Sequence, residues 1–229
     1  MSISQVIIVA ALFFLCVVLW AALRHNKVDW GSHWFGLIDG VSRFLCFHYH
    51  RLQPTRVDLP ETGGCIIACN HVSGLDPVAL IAAARRPLRF MIAREEYERF
   101  GLQWLFRGVG CIPVERQGRP EQALREALRS LQAGEVVALF PHGRIHLDSD
   151  PPRKLKKGVA WLAQQTNVPV IPMRLTGVRG EGHTILSVFM RSRVKIEVFD
   201  AIQCEEGNNG DCLKTIAACI EGRSTGNDQ

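Results

Sequence analysis

Residues 6–23 carry no charged side chain and almost no polar one. As a helix, that run extends roughly 27 Å at about 1.5 Å per residue, enough to cross a hydrocarbon core. Met1 to Gln5 holds no basic residue, and Arg24 and Lys27 follow the run. An uncleaved anchor is therefore expected rather than a signal peptide. The basic flank predicts a body on the cytoplasmic side of an inner or cytoplasmic membrane. A second pattern follows. Trp30, Trp34, Leu37, Ile38, Val41, Phe44, Leu45 and His48 recur at helical spacing, while Asp39, Ser42 and Arg43 fall mainly elsewhere. The expectation is an amphipathic helix with tryptophans in the headgroup zone, or else an ordinary helix packed on the body. Gly31, Gly36 and Gly40 weaken that helix.

Beyond a turn-rich loop at 51–64 the period changes. Short apolar or alternating runs predict strands at 65–69, 89–93, 111–114, 135–140, 168–175 and 193–199. Asp76 and Pro77 predict a helix to about residue 84, with Asp76 as N-cap and Pro77 at the first position. Pro120 opens an amphipathic helix that Gly134 stops, and further helices are predicted at 158–166 and 211–221. Pro169 and Pro172 cannot donate to a ladder, so their strand is expected at an edge or a bend. Strands and helices interleave. The expected fold class is α/β, a central mostly buried mixed sheet flanked by helices. The chain divides into an N-terminal membrane anchor (1–28), an amphipathic interfacial helix region (29–50) and one domain over 51–229, large enough for its own core.

The charge balance is modest, 27 Lys and Arg against 22 Asp and Glu, a net of +5. It suits an anionic membrane surface or phosphate-bearing substrates. No nucleic-acid-binding signature accompanies it, and aromatics are only 8% of the chain. The eight cysteines form no CxxC pair and sit mostly in apolar runs. They read as small buried hydrophobes in a reducing compartment, not as a disulfide framework.

Four segments carry candidate chemistry. In the first, 70–77, an apolar strand ends at His71 and a carboxylate, Asp76, follows five residues later. On one continuous helix the two side chains would diverge by about 140°. Gly74 permits a tight turn that returns Asp76 to the imidazole. A carboxylate on one ring nitrogen frees the other to take a proton from a hydroxyl. Equally, Asp76 can be only an N-cap and His71 only a turn histidine. In the second, 110–118, a strand delivers Arg116 into a Gly-flanked turn, where its fork can meet a phosphate or simply be solvated. In the third, 139–148, a buried strand ends in a polar loop, and the basic run Arg153, Lys154, Lys156, Lys157 leads to a helix start that can hold an anion, or is merely a solvated face. The fourth is the proline-containing strand at 168–172, which lines an acyl channel or is merely core.

Together and in order, these segments resemble the glycerophospholipid acyltransferase superfamily, especially bacterial 1-acyl-sn-glycerol-3-phosphate acyltransferases. The matching blocks are Asn70-His71…Asp76, Gly110…Arg116, Phe140-Pro141…Gly143 and Val168-Pro169…Pro172, with Phe90 to Glu96 and Leu155 to Gly158 similar between them. The resemblance covers roughly residues 60–177. It implies His71 as general base on a glycerol hydroxyl, oriented by Asp76, and an acyl-CoA or acyl-carrier-protein thioester as donor. It implies acceptor binding by Arg116 and the loop of Phe140, Pro141, His142, Gly143 and Arg144, and substrate binding also by Asn70, Gly110, Lys157 and Pro172. The acceptor is a lysophospholipid held at the membrane, and no metal, cofactor or nucleic acid takes part.

The third block departs from the family's Phe-Pro-Glu-Gly-Thr-Arg. Its Glu is His142 here, its Thr is Arg144 and its Arg is Ile145. The local charge is expected to become positive, and the acceptor can be lysophosphatidic acid, another lysophospholipid or a lyso-aminolipid. Two readings of other classes stand beside this one. His142, His146 and Asp148 are spaced to suggest a metal hydrolase, although Pro141 and Gly143 argue against a helix there. A catalytically silent membrane-binding protein is the other.

Overall fold

In the computed structural model the described residues are 2–116, 118, 120–205 and 208–222. Two helices precede the body, α1 (Ile3–His25) and α2 (His33–Phe44), and a π-helical turn, Leu45–Tyr49, prolongs α2. Then come β1 (Cys65–Cys69), α3 (Asp76–Ala83), β2 (Leu88–Ala93), α4 (Arg94–Tyr97), α5 (Gln103–Gly108) and β3 (Ile112–Val114). The chain continues with α6 (Glu121–Gln132), β4 (Val136–Leu139), α7 (Gly158–Thr166), β5 (Val170–Thr176), α8 (Leu186–Phe189), β6 (Lys195–Val198) and α9 (Asn209–Glu221).

The six strands form one mixed sheet in the order β3-β2-β4-β1-β5-β6. All neighbours are parallel except the β5–β6 pair. β1 is central and buried at every position. Alternation splits its side chains between two cores. Cys65, Ile67 and Cys69 face a layer that includes Leu75 and Leu80, while Ile66 and Ala68 face Ala127 of α6, Leu162 of α7 and Ile216 of α9.

Burial raises the thiols of Cys46 and Cys111 to about 12 and that of Cys65 to about 11, so they serve as small apolar groups. One pair departs from the cysteine expectation. Cys204 and Cys212 are joined as a disulfide. Their Cα atoms lie 5.5 Å apart, a separation that a bridge can span.

β5 lies between β1 and β6, so of the two places expected for its prolines the edge is corrected. Val170 exchanges both backbone hydrogen bonds with Ile202, so even-numbered residues of β5 point their amides toward the β6 side. Pro172 falls where that side is irregular. Its carbonyl accepts from Phe199, and an extra residue separates this contact from the Ile202 bridge. The missing donor therefore costs no regular ladder bond.

α2 does not pack on the body by its apolar face, which corrects the second of the two readings of this helix. Gly36, Asp39, Gly40 and Arg43 are the buried positions, and Trp34 is 75% exposed. The glycines serve close approach: a Cβ on Gly40 would lie 1.9 Å from the Ala22 carbonyl oxygen of α1. Arg43 donates to Asp39 at 2.7 Å and to the carbonyls of Ile81, Ala82 and Ala84 at the carboxyl end of α3. A cation there completes carbonyls that the helix leaves open. α1 is exposed along its length except at Ala21 and Ala22, and is long and apolar enough to cross a membrane.

Arg43→Ala leaves Asp39 buried without its partner. We expect a loss of about 3–5 kcal/mol in denaturant unfolding of the detergent-solubilised protein. An unchanged midpoint would remove this brace from the account.

Candidate active site

Four strand ends converge on one edge of the sheet. β1 runs into His71, β4 into Phe140, β2 into Arg94 and Glu95, and β3 into Glu115 and Arg116. Carboxyl edges of parallel strands are where α/β folds place ligands.

The His71 pair is formed. Nδ1 of His71 lies 2.8 Å from Oδ2 of Asp76, whose side chain is 0% exposed. The same oxygen accepts the backbone N–H groups of Val72 and Ser73 at 2.6 and 2.8 Å, and Oδ1 accepts the Ser73 hydroxyl at 2.7 Å. Asp76 is the first residue of α3 and turns its carboxylate back over the preceding loop. It does not cap the helix, and Leu75 stands at the cap. Gly74 acts differently from expectation. Its φ is not positive, but a Cβ there would lie 1.7 Å from the Thr184 carbonyl oxygen. Close packing of the loop against residues 182–184 requires the glycine, and two backbone bonds, Gly74 to His183 and Gly182 to Val72, fasten it.

The imidazole stacks on Phe140, centroids 4.0 Å apart and planes 13° from parallel. The His71 carbonyl accepts the His146 N–H at 2.7 Å. With Nδ1 on Asp76, Nε2 has no protein partner among the described residues, and the side chain is 18% exposed. An imidazole held this way can receive a hydroxyl proton at Nε2, while the carboxylate stabilises the resulting imidazolium.

Other expected positions are placed as follows. Asn70 gives both ends of its amide to Leu175, donating to the carbonyl at 2.9 Å and accepting the N–H at 2.7 Å. It extends the β1–β5 ladder by one side chain and braces His71 rather than offering polar atoms to a ligand. Arg116 pairs with Glu95 at 2.9 Å, and Arg94 with Glu115, so two ion pairs cross between the ends of β2 and β3. Gly110 is not brought to this edge. It precedes β3, against the Arg89 guanidinium at the start of β2. Pro141 is buried, Arg144 is exposed, and Pro172 is buried within β5. Lys157 stands before α7, in a groove with Leu124 and Trp161. Lys156 is the lysine at the loop: its amide bonds the Pro141 carbonyl, and its chain lies where a Cβ on Gly143 would be.

His142 is 2% exposed. Its Nε2 is 3.3 Å from Glu221 of α9, and its ring is 4.4 Å from that of His146. Glu221 thus returns a carboxylate to a loop whose sequence had lost one, and the expected shift to positive charge is offset. Asp148 pairs with Arg174 at 2.6 Å instead of joining the histidines. Ser73 was not expected at the site, and Lys156 was expected only as one member of the basic run. The serine three residues before an aspartate was the available signal for the first.

Set beside known proteins, the chain's residues 52–176 match the profile of the Acyltransferase family. The chain belongs to that family. It is 26% identical over 121 residues to the 1-acyl-sn-glycerol-3-phosphate acyltransferase of Bacillus subtilis, covering 52% of this chain and 59% of the relative. It is 32% identical over 120 residues to the N-acylphosphatidylethanolamine synthase of Arabidopsis thaliana, covering 48% and 42%. The chain spans about half the length of these curated relatives. The crystal structure of the 1-acyl-sn-glycerophosphate (LPA) acyltransferase PlsC from Thermotoga maritima superposes with a TM-score of 0.58 at 18% identity, over 92% of this chain and 87% of that one. The Acyltransferase family fold is thereby shared.

Burial, followed by the neighbouring His146, holds the His142 imidazole below its ordinary value of 6.5. The unfolded chain therefore takes up a proton before the folded one. Stability present above pH about 6.5 falls as the pH drops through the depressed value. Melting curves between about pH 5 and 8 should show this loss, and His142→Gln should flatten it. The same slope in that variant would assign the dependence elsewhere.

Proposed function

We propose that the chain transfers a fatty acyl group from an acyl-CoA or acyl-carrier-protein thioester to the free hydroxyl of 1-acylglycerol 3-phosphate, giving phosphatidic acid. The observation that carries this reading is the 2.8 Å contact between His71 Nδ1 and a buried Asp76, at the sheet edge where β1 and β4 end. Nε2 takes the hydroxyl proton as the oxygen attacks the thioester carbonyl. The tetrahedral intermediate collapses, the C–S bond breaks, and the proton passes to the departing thiolate. General-base help of this kind is worth about 10²–10⁴ in rate.

Arg116 and the loop from Phe140 to Arg144 receive the acceptor's phosphate and glycerol. The Arg116–Glu95 pair is solvent-exposed and worth roughly 0–1 kcal/mol, so a bidentate phosphate can displace it. α1 holds the body at the bilayer where lysolipid and product reside, with Arg24 and Lys27 keeping it on the cytoplasmic side. A second reading, a different phospholipid acceptor, is favoured by the altered His142 position and by the likeness to an N-acylphosphatidylethanolamine synthase.

An acceptor panel with a labelled acyl donor tests both. Lysophosphatidic acid is the expected preference, and preference for a phosphate-free acceptor would refute it. His71→Ala should retain its fold and lose about 10²–10⁴ in rate. Near-normal turnover would end the proposal as a whole. Ser73→Ala removes one of four bonds to the Asp76 carboxylate and should lower kcat roughly tenfold with KM unchanged. A rise in KM alone would move Ser73 out of this role.

A further inference from the structure

The segment 177–193 has so far entered only as the backbone that fastens the loop after His71. Its side chains divide sharply. Arg179, Arg191 and Arg193 join Arg51, Gly177 and Ser192 in lining a cleft of about 390 Å³. None of the four arginines forms an ion pair with any described residue, and Glu181 is the one acid in the segment. The cleft is built on ordered backbone. Buried Ser192 accepts the Arg179 N–H at 3.0 Å, and the Arg193 N–H bonds Gly177 at 3.1 Å. Arg51 holds a left-handed backbone, φ +48°, a conformation that non-glycine residues seldom keep and that collects at ligand sites.

Directly beside the arginines, α8 and its flanks are apolar and bare. Ile185 is 57% exposed, Leu186 52%, Phe189 70% and Met190 36%. Contiguous apolar surface of this kind marks an interaction site. It continues the exposed apolar line of the amino-terminal hairpin, because the Tyr49 hydroxyl, at the end of the π turn, donates to the Phe189 carbonyl at 2.7 Å. Arg51 follows that turn directly. Large apolar side chains rimmed by arginines that have no ion-pair partner among the described residues match a leaflet in chemistry: acyl chains below, phosphates above.

We propose that residues 177–193 with Arg51 form a docking site for the phosphate-bearing headgroups of an anionic lipid bilayer, with Ile185, Leu186, Phe189 and Met190 entering its acyl region. The site rests on the membrane placement proposed above but not on acyl transfer. It is a second attachment to the bilayer, separate from α1. Because His183 and Gly182 bond Gly74 and Val72, it sets the His71 loop against the surface that carries the acceptor.

Hydrogen exchange across 183–191 tests this in the full chain reconstituted into lipid discs. Discs of phosphatidylcholine alone are compared with discs that also contain phosphatidylglycerol. Amides of 185–190 should exchange about tenfold more slowly, or slower still, in the anionic discs, with the gain reversed by high salt. The variant Arg179→Gln, Arg191→Gln, Arg193→Gln should exchange at the neutral-disc rate in both. His71→Ala should keep the full protection, so that failure of docking and failure of catalysis read separately. Equal exchange of the unmodified chain in the two kinds of disc would overturn the proposal. So would equal slowing by inorganic phosphate in neutral discs, which would make the cleft a site for a soluble anion.

Discussion

The Asp76 carboxylate is withdrawn from solvent and meets four donors at once, two backbone amides, a serine hydroxyl and an imidazole. A carboxylate buried without such partners is strongly disfavoured, and each bond to the charged group contributes about 1.5–3 kcal/mol. The surrounding construction keeps these donors converged. Asn70 continues the β1–β5 ladder one step past the strand and so fixes where His71 leaves it. Gly74 lets the loop pass against Thr184, and α3 begins on Asp76 itself. Phe140 then stacks on the imidazole from the end of β4. The positions of β1, β4 and β5 are thus tied to the orientation of one ring nitrogen.

The parts of this that the sequence revealed are those written in local pattern. The five-residue apolar run of β1, the Pro120-to-Gly134 helix and the α7 helix are each long or periodic enough to be read alone. The short helices α4, α5 and α8 have too few turns to show a period. The side of α2 that meets the body was illegible for another reason. Asp39 and Arg43 look like a solvent face until the carbonyls of Ile81, Ala82 and Ala84, some forty residues away in sequence, give the guanidinium its partners. The same holds at the site. His71 and Asp76 are five residues apart and could be paired on paper, whereas Glu221 reaches His142 across 79 residues. A single-sequence reading sees the loss of an acid at position 142 and cannot see its return from α9.

The hairpin of α1 and α2 is connected to the same centre. Arg43 grips the end of α3, whose first residue is Asp76. An apolar amino-terminal helix, a glycine-mediated crossing, a buried arginine and the site helix form one continuous chain of contacts. Membership of the Acyltransferase family fits that layout, in which the edge bearing His71 has mechanical links to the apolar end of the molecule. The departures at His142, Arg144 and Ile145 leave the Asp76 centre untouched and alter the loop that faces it.

The central claim is that Asp76 holds the His71 proton on Nδ1 and leaves Nε2 open. Nitrogen and proton NMR of isotope-labelled histidine reads this directly. The account predicts the Nδ1–H form, with a far-downfield ring proton that disappears in Asp76→Asn. A ring that carries its proton on Nε2, or a spectrum that Asp76→Asn leaves unchanged, would contradict it.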